Sequence, residues 1–175
     1  MNPCGGLEET AAAASHMHTK EEVVPTEADY IETEKIKTIL RKDYNQYETP
    51  AESQKKRQIL AQLQSIITEW IQECGRKKNL DEETILKSGG KIFTFGSYKK
   101  GVNGPNSDID TLVVAPRHID RQDHFFDMLA PKLQGTLGVT DLTEVKEAFV
   151  PVIKMKFHDV DIDLLFARVE YKSVG

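Results

Sequence analysis

Gly96-Ser97-Tyr98-Lys99-Lys100-Gly101-Val102-Asn103-Gly104-Pro105-Asn106-Ser107-Asp108-Ile109-Asp110 is the stretch that decides the reading of this chain. A glycine-serine turn precedes two carboxylates spaced one residue apart, and those carboxylates open the apolar run Thr111-Leu112-Val113-Val114. Charge this close to a hydrophobic strand is costly unless it is paired or binds a metal. In a strand, alternate residues share a face roughly 6.6 Å apart, so Asp108 and Asp110 are expected to point the same way. Two such carboxylates can hold divalent ions that clamp the attacking and leaving oxygens of an in-line displacement. Hard oxygen ligands favour magnesium or manganese over zinc. The pattern points to metal-dependent nucleotidyl transfer.

The strands around this motif are legible. Lys91-Ile92-Phe93-Thr94-Phe95 reads as a strand of β-branched and aromatic residues after the break at Gly89-Gly90. Residues 109–114 form a second strand, which Pro116 ends because proline cannot donate to a ladder. Residues 140–148 are expected to hold an edge strand and 149–157 a further one. A tight turn near Asp159 then leads into a last strand over 160–169, antiparallel to its predecessor as a hairpin. Asp161 and Asp163 both stand in that last strand. Asp163, just before Leu164-Leu165-Phe166, is expected to lie deeper in the sheet, and it is chosen as the third metal ligand or base over Asp161. Gly96 lets the backbone approach a ligand closely, Ser97 adds a hydroxyl, and free N–H groups at a following helix start suit a phosphate. Lys99 and Lys100 add positive charge.

Further helices are expected before and between these strands. Thr26-Glu27-Ala28-Asp29 resembles a capped start, with Ile31, Ile36, Ile39 and Leu40 as an apolar stripe that fades near 43–47. Thr49-Pro50-Ala51-Glu52 is a capping-box start for a long amphipathic helix with Leu60, Leu63, Ile67, Trp70, Ile71 and Cys74 on one face. One turn of helix is expected at 81–86 and a longer helix over 120–133, capped by Asp120. Lys55-Lys56-Arg57 and Arg76-Lys77-Lys78 read as solvated basic faces. The five histidines suggest no metal cluster or catalytic triad.

With 175 residues, 39% of them hydrophobic and 29% charged, the chain suits one domain with an appendage. The net charge of −5 gives no broad attraction for nucleic acid. Cys4 and Cys74, far apart, argue against a disulfide framework, offer no zinc spacing and point to a reducing compartment. No apolar run approaches membrane-spanning length. Residues 1–20, which contain Ser15-His16-Met17, read as a disordered tail or an expression-tag remnant. Residues 21–87 read as an N-terminal helical region and 88–175 as the catalytic core.

Taken in order, Gly89–Tyr98, Gly104–His118, Ala148–Lys154 and Ile162–Arg168 resemble the eukaryotic nuclear poly(A) polymerase family, from roughly Glu22 onward. The resemblance implies an α+β fold of the polymerase-beta-like nucleotidyltransferase kind, with a mixed, mostly antiparallel sheet flanked by helices and preceded by N-terminal helices. It implies template-independent AMP transfer from ATP to an RNA 3′ hydroxyl in nuclear mRNA 3′-end processing, with magnesium or manganese as cofactor. By position, Asp108, Asp110 and Asp163 are the catalytic metal ligands, and Phe95, Gly96 and Ser97 contact the nucleotide and its triphosphate. Phe149, Val150 and Lys154 fall near the adenine and the primer end. ATP, the RNA 3′ end and the cleavage and polyadenylation machinery are the implied partners, with no membrane. The family continues into a helical central domain and an RNA-binding domain, so weak or no activity is expected of these residues alone. Two other readings remain: a non-catalytic nucleotide-binding or docking fragment, and a related RNA nucleotidyltransferase with a different base or acceptor.

Overall fold

The structure is a computed structural model that describes residues 24–174; the expected tail over 1–20 lies outside them, as do Cys4 and Ser15-His16-Met17. The chain divides between Thr38 and Ile39 into two compact units. Thr26, in the first, caps helix α1, Glu27–Lys42. Its hydroxyl accepts from the Asp29 N–H at 3.3 Å, while the Asp29 carboxylate accepts from the Thr26 N–H at 2.7 Å. The cap matches the sequence, but the stripe does not become core. No residue of α1 is buried, and Ile31, Ile36 and Ile39 are exposed.

In the second unit, α2 spans Pro50–Lys77. Thr49 and Glu52 complete the capping box, with Thr49 N donating to Glu52 Oε2 at 2.7 Å. Ile59, Leu63, Ile67, Trp70, Ile71 and Cys74 are buried at helical spacing. Ile59 takes the inward place expected of Leu60, which is only half-buried. Lys56 departs more sharply: it is 2% exposed, not part of a solvated face. Helix α3, Glu82–Lys87, is capped by the Asp81 carboxylate, which accepts from Thr84 N.

Five strands follow: β1 Lys91–Thr94, β2 Ile109–Ala115, β3 Val139–Val145, β4 Val152–Phe157 and β5 Val160–Arg168. Their order is β1-β2-β5-β4-β3. The β2–β5 pair is parallel and every other pair antiparallel. This is the expected mixed, mostly antiparallel sheet. The β4–β5 hairpin turns through His158 and Asp159, both at positive φ. Strand β4 starts at Val152, not at 149. Pro151 brings no N–H and a fixed φ, so the ladder begins after it, and Phe149 and Val150 stay in the connecting loop, exposed. Short helix α4, Gly96–Lys100, fills the β1–β2 connection. Helix α5 covers 121–134. Its Arg121–Leu129 part is π-wound and Ala130–Gln134 is α-helical. In an α-helix the ring of Pro131 would collide with the carbonyl four residues back, and π-winding just ahead of it re-spaces those carbonyls.

The sheet has two different faces. Val113, Ala115, Ile153, Met155, Phe157, Ile162, Leu164 and Phe166 point to one side and pack with the apolar faces of α2 and α5 in a single core. By strand alternation, Asp110, Lys154, Asp161 and Asp163 point to the other. Helix α2 also secures the β1 end, because Gln64 donates to Gly90 O at 2.7 Å and accepts from Ile92 N at 2.9 Å. Trp70, 1% exposed, lies in the core, but its indole N–H has no partner among the described residues. Trp70→Ala should therefore cost about 3–5 kcal/mol in denaturant unfolding. Trp70→Phe, which keeps a ring and removes the unpaired donor, should cost well under half of that.

Candidate active site

The parallel register sets Asp110 opposite Asp163, on adjacent strands and on the same face. Asp108 lies one residue before β2 and joins them. Carboxylate oxygens of Asp108, Asp110 and Asp163 all come within 4.8 Å of one another. Asp108 is exposed, and Asp110 and Asp163 are half-buried. Asp161, two residues earlier on the same strand face, is exposed and engaged by Lys156, whose ammonium lies 2.7 and 2.9 Å from its two oxygens. It stands outside the cluster.

Phe95 extends the β1–β2 pairing, its N–H donating to Asp110 O at 3.0 Å, and the chain then turns at Gly96 with φ +63. A side chain there would be strained, and a Cβ would overlap the Asp110 carboxylate. Only glycine lets the backbone lie directly against that acid. Ser97, half-buried, follows in the first turn of α4. Gly101, in the left-handed region, closes the helix by donating to Ser97 O and Tyr98 O. The Gly-Ser turn and the carboxylates are thus adjacent. Phe149 and Val150 are not brought against the cluster by any hydrogen bond or ring contact among the described residues; both are exposed in the β3–β4 loop.

Lys154 is opposite Asp163 on β4, and its ammonium bonds Asp163 Oδ2. Sequence reasoning placed Lys154 at the adenine and primer side. Its contact with the third carboxylate depends on register between distant segments, which no local motif reveals. That hydrogen bond is the main reason the Lys154 pKa is raised. Three acids against one ammonium leave the cluster under-neutralised. Burial first, then the Asp108 and Asp163 charges, raise the Asp110 pKa, and Lys154 opposes them. A hard divalent cation on these oxygens would remove that repulsion, so the donor set fits magnesium or manganese. From the carboxylates a cleft of about 470 Å³ runs past Lys154 toward Lys156 and Asp161.

A second group, Asp120, Asp123 and His124, also has ligand atoms within 4.8 Å of one another. Two of its three residues already make capping bonds. Asp120 Oδ1 caps α5 by accepting from Gln122 N and Asp123 N, and His124 Nδ1 accepts from Asp120 N at 3.1 Å.

The Asp110 shift has a measurable sign. Its folded pKa is raised above the ordinary 3.8. Below that value the acid is protonated whether the chain is folded or not. As pH rises, the unfolded chain ionises first and stability is lost. Without divalent metal, Asp110→Asn should melt higher than the unsubstituted chain at pH 7, and the gap should close toward pH 3.8. Equal melting at pH 7 would refute the electrostatic account.

A family model described as the poly(A) polymerase nucleotidyltransferase domain matches residues 21–175. The chain is 49% identical over 133 residues to poly(A) polymerase pla1 of Schizosaccharomyces pombe, covering 76% of this chain and 23% of that protein. It is 44% identical over 151 residues to the poly(A) polymerase of Dictyostelium discoideum, covering 86% of this chain and 18% of that protein. The chain therefore spans a quarter or less of the length of these relatives. Among solved structures, the GLD-2/RNP-8 complex matches with a TM-score of 0.53 at 18% identity, over 77% of this chain and 46% of that one. The RNA terminal uridylyl transferase Cid1 matches with a TM-score of 0.53 at 18% identity, over 76% and 36%. These two likenesses speak for the fold, the polymerase-beta-like nucleotidyltransferase architecture expected from the sequence. By the family model and these identities, the chain belongs to the poly(A) polymerase nucleotidyltransferase domain family.

Proposed function

We propose that these residues form the catalytic core of a template-independent polynucleotide adenylyltransferase, which adds AMP from ATP to the 3′ end of RNA. The observation that carries this reading is the meeting of Asp108, Asp110 and Asp163 on the open face of the sheet beside Gly96-Ser97. In the reaction a bond forms between the RNA 3′ oxygen and the α-phosphorus, the bond from that phosphorus to pyrophosphate breaks, and the 3′ hydroxyl loses its proton.

Each residue has a place in that chemistry. Asp108, Asp110 and Asp163 would hold magnesium or manganese. Bound divalent ions supply Lewis-acid stabilisation of the charge on the reacting oxygens. Gly96 keeps the backbone flat against Asp110, and Ser97 offers its hydroxyl and N–H to the triphosphate. Phe95, 40% exposed, and the loop residues Phe149 and Val150 present apolar surface to the adenine. Lys154 pins Asp163 from β4 and offsets part of the cluster's charge. In this reading residues 88–175 are the catalytic core and 21–87 the helical region that precedes it. Family membership supports a nuclear setting, mRNA 3′-end processing, and contact with the cleavage and polyadenylation machinery. Because the chain spans 18–24% of its relatives, efficient extension is proposed to need the further regions they carry.

The test uses a version bearing those regions, with magnesium or manganese, ATP and an RNA primer. Asp110→Ala should lower extension by on the order of 10²-fold or more, the scale for removing a group that stabilises transition-state charge. Equal extension by both proteins would end the assigned role. Faster extension from UTP than from ATP would favour a different-base transferase over adenylyl transfer.

A further inference from the structure

Lys56, Glu48 and Asn103 make a polar cluster, built around a buried lysine, that the reaction described above does not use. Lys56 on α2 is 2% exposed. Its ammonium lies 2.5 Å from Glu48 Oε1, and the two side chains are 3% and 10% exposed. The same ammonium donates to the Ser107 carbonyl at 3.1 Å. Asn103 Nδ2 donates to Glu48 Oε1 at 2.5 Å, and Ser53 Oγ donates to Glu48 Oε2 at 2.8 Å. An ion pair taken out of water is no stability device in itself, since well-packed apolar groups of similar volume serve as well or better. What this one adds is direction, because its outward bonds go to the loop that delivers Asp108.

That loop needs an anchor. Residues 102–108 are irregular, and within them Ser107 bonds back only to Gly104 O, through its N–H at 3.2 Å and its hydroxyl at 2.9 Å. Lys56 holds the carbonyl directly before Asp108, and Glu48 holds Asn103 at the loop's other end. Glu48 directly precedes the capping box of α2, the helix that packs on the opposite face of the sheet, so the anchor is tied to the start of a core-packing helix. Glu48 also lies close enough to Tyr98 in α4 for its charge to raise the phenol's pKa, though less than burial does.

We infer that Glu48, Lys56 and Asn103 are positioning residues, a clamp that sets the Asp108 carboxylate for metal binding. The inference rests on the metal reading of the three carboxylates. Groups that orient metal ligands from behind cost 10–100-fold in metal affinity when altered.

The test titrates Mn²⁺ into the 175-residue chain, follows free Mn²⁺ by electron paramagnetic resonance, and records thermal unfolding in parallel. The paired change Glu48→Gln with Lys56→Met keeps volume and leaves no lone buried charge. It should melt close to the unsubstituted chain yet bind Mn²⁺ on the order of 10-fold more weakly. Asn103→Ala, which keeps the ion pair intact, should weaken binding in the same direction, while the exposed control Lys87→Met should not. Unchanged Mn²⁺ affinity in folded variants overturns the inference. If the paired variant does not fold, unchanged affinity in Asn103→Ala overturns it alone. If the unsubstituted chain takes up no Mn²⁺, the metal reading itself has failed. Amide exchange over residues 103–110 then decides whether the clamp exists: faster exchange in Asn103→Ala supports it, and equal rates refute it.

Discussion

The parallel pairing of β2 with β5 is the constraint on which the rest depends. It alone sets Asp110 beside Asp163, two acids more than fifty residues apart in sequence. Parallel strands must be joined by a long crossover, and here the crossover contains α5, β3 and β4. The apolar side of the same two strands is buried under α2 and α5. Register is strongly specified when one face is buried, because a one-residue slip would turn every side chain to the other face. The energy that fixes the acids is therefore hydrophobic burial on the far side of the sheet. The acids themselves oppose it, as the raised Asp110 pKa shows.

This division of labour explains the asymmetry of the sheet. Val113, Ile162, Leu164 and Phe166 face the core, while Asp110, Lys154 and Asp163 alternate with residues of that kind on the open face. Gly96 supplies the remaining geometric requirement, since any side chain there would take the space beside the Asp110 carboxylate. Lys154 tempers the repulsion without neutralising it. On the proposed reading, the site trades stability for an affinity toward cations and the phosphates they accompany.

Much of this was legible in the sequence, because the informative signals were local. The capping boxes at Thr26 and Thr49, the period of α2, the stop at Pro116 and the Asp-x-Asp alternation all act over a few residues. The preference for Asp163 over Asp161 rested on the apolar run that follows it, and the structure leaves Asp161 exposed with Lys156. What escaped was long-range or context-dependent. Lys56 sits in a run of three basic residues and reads as surface until Glu48 and the Ser107 carbonyl are seen around it. The contact of Lys154 with Asp163 follows from β4–β5 register. The stripe of α1 has helical period, yet period alone does not say what will cover it. The π-winding of α5 reflects a proline whose effect depends on how the preceding turn can adjust.

The most direct test of the central claim is anomalous scattering from crystals grown with Mn²⁺ and a non-hydrolysable ATP analogue. The account predicts manganese peaks about 2.1 Å from oxygens of Asp108, Asp110 and Asp163, with the triphosphate against Gly96 and Ser97. Manganese bound only at Asp120, Asp123 and His124, or a bound nucleotide with no metal on the three carboxylates, would contradict it.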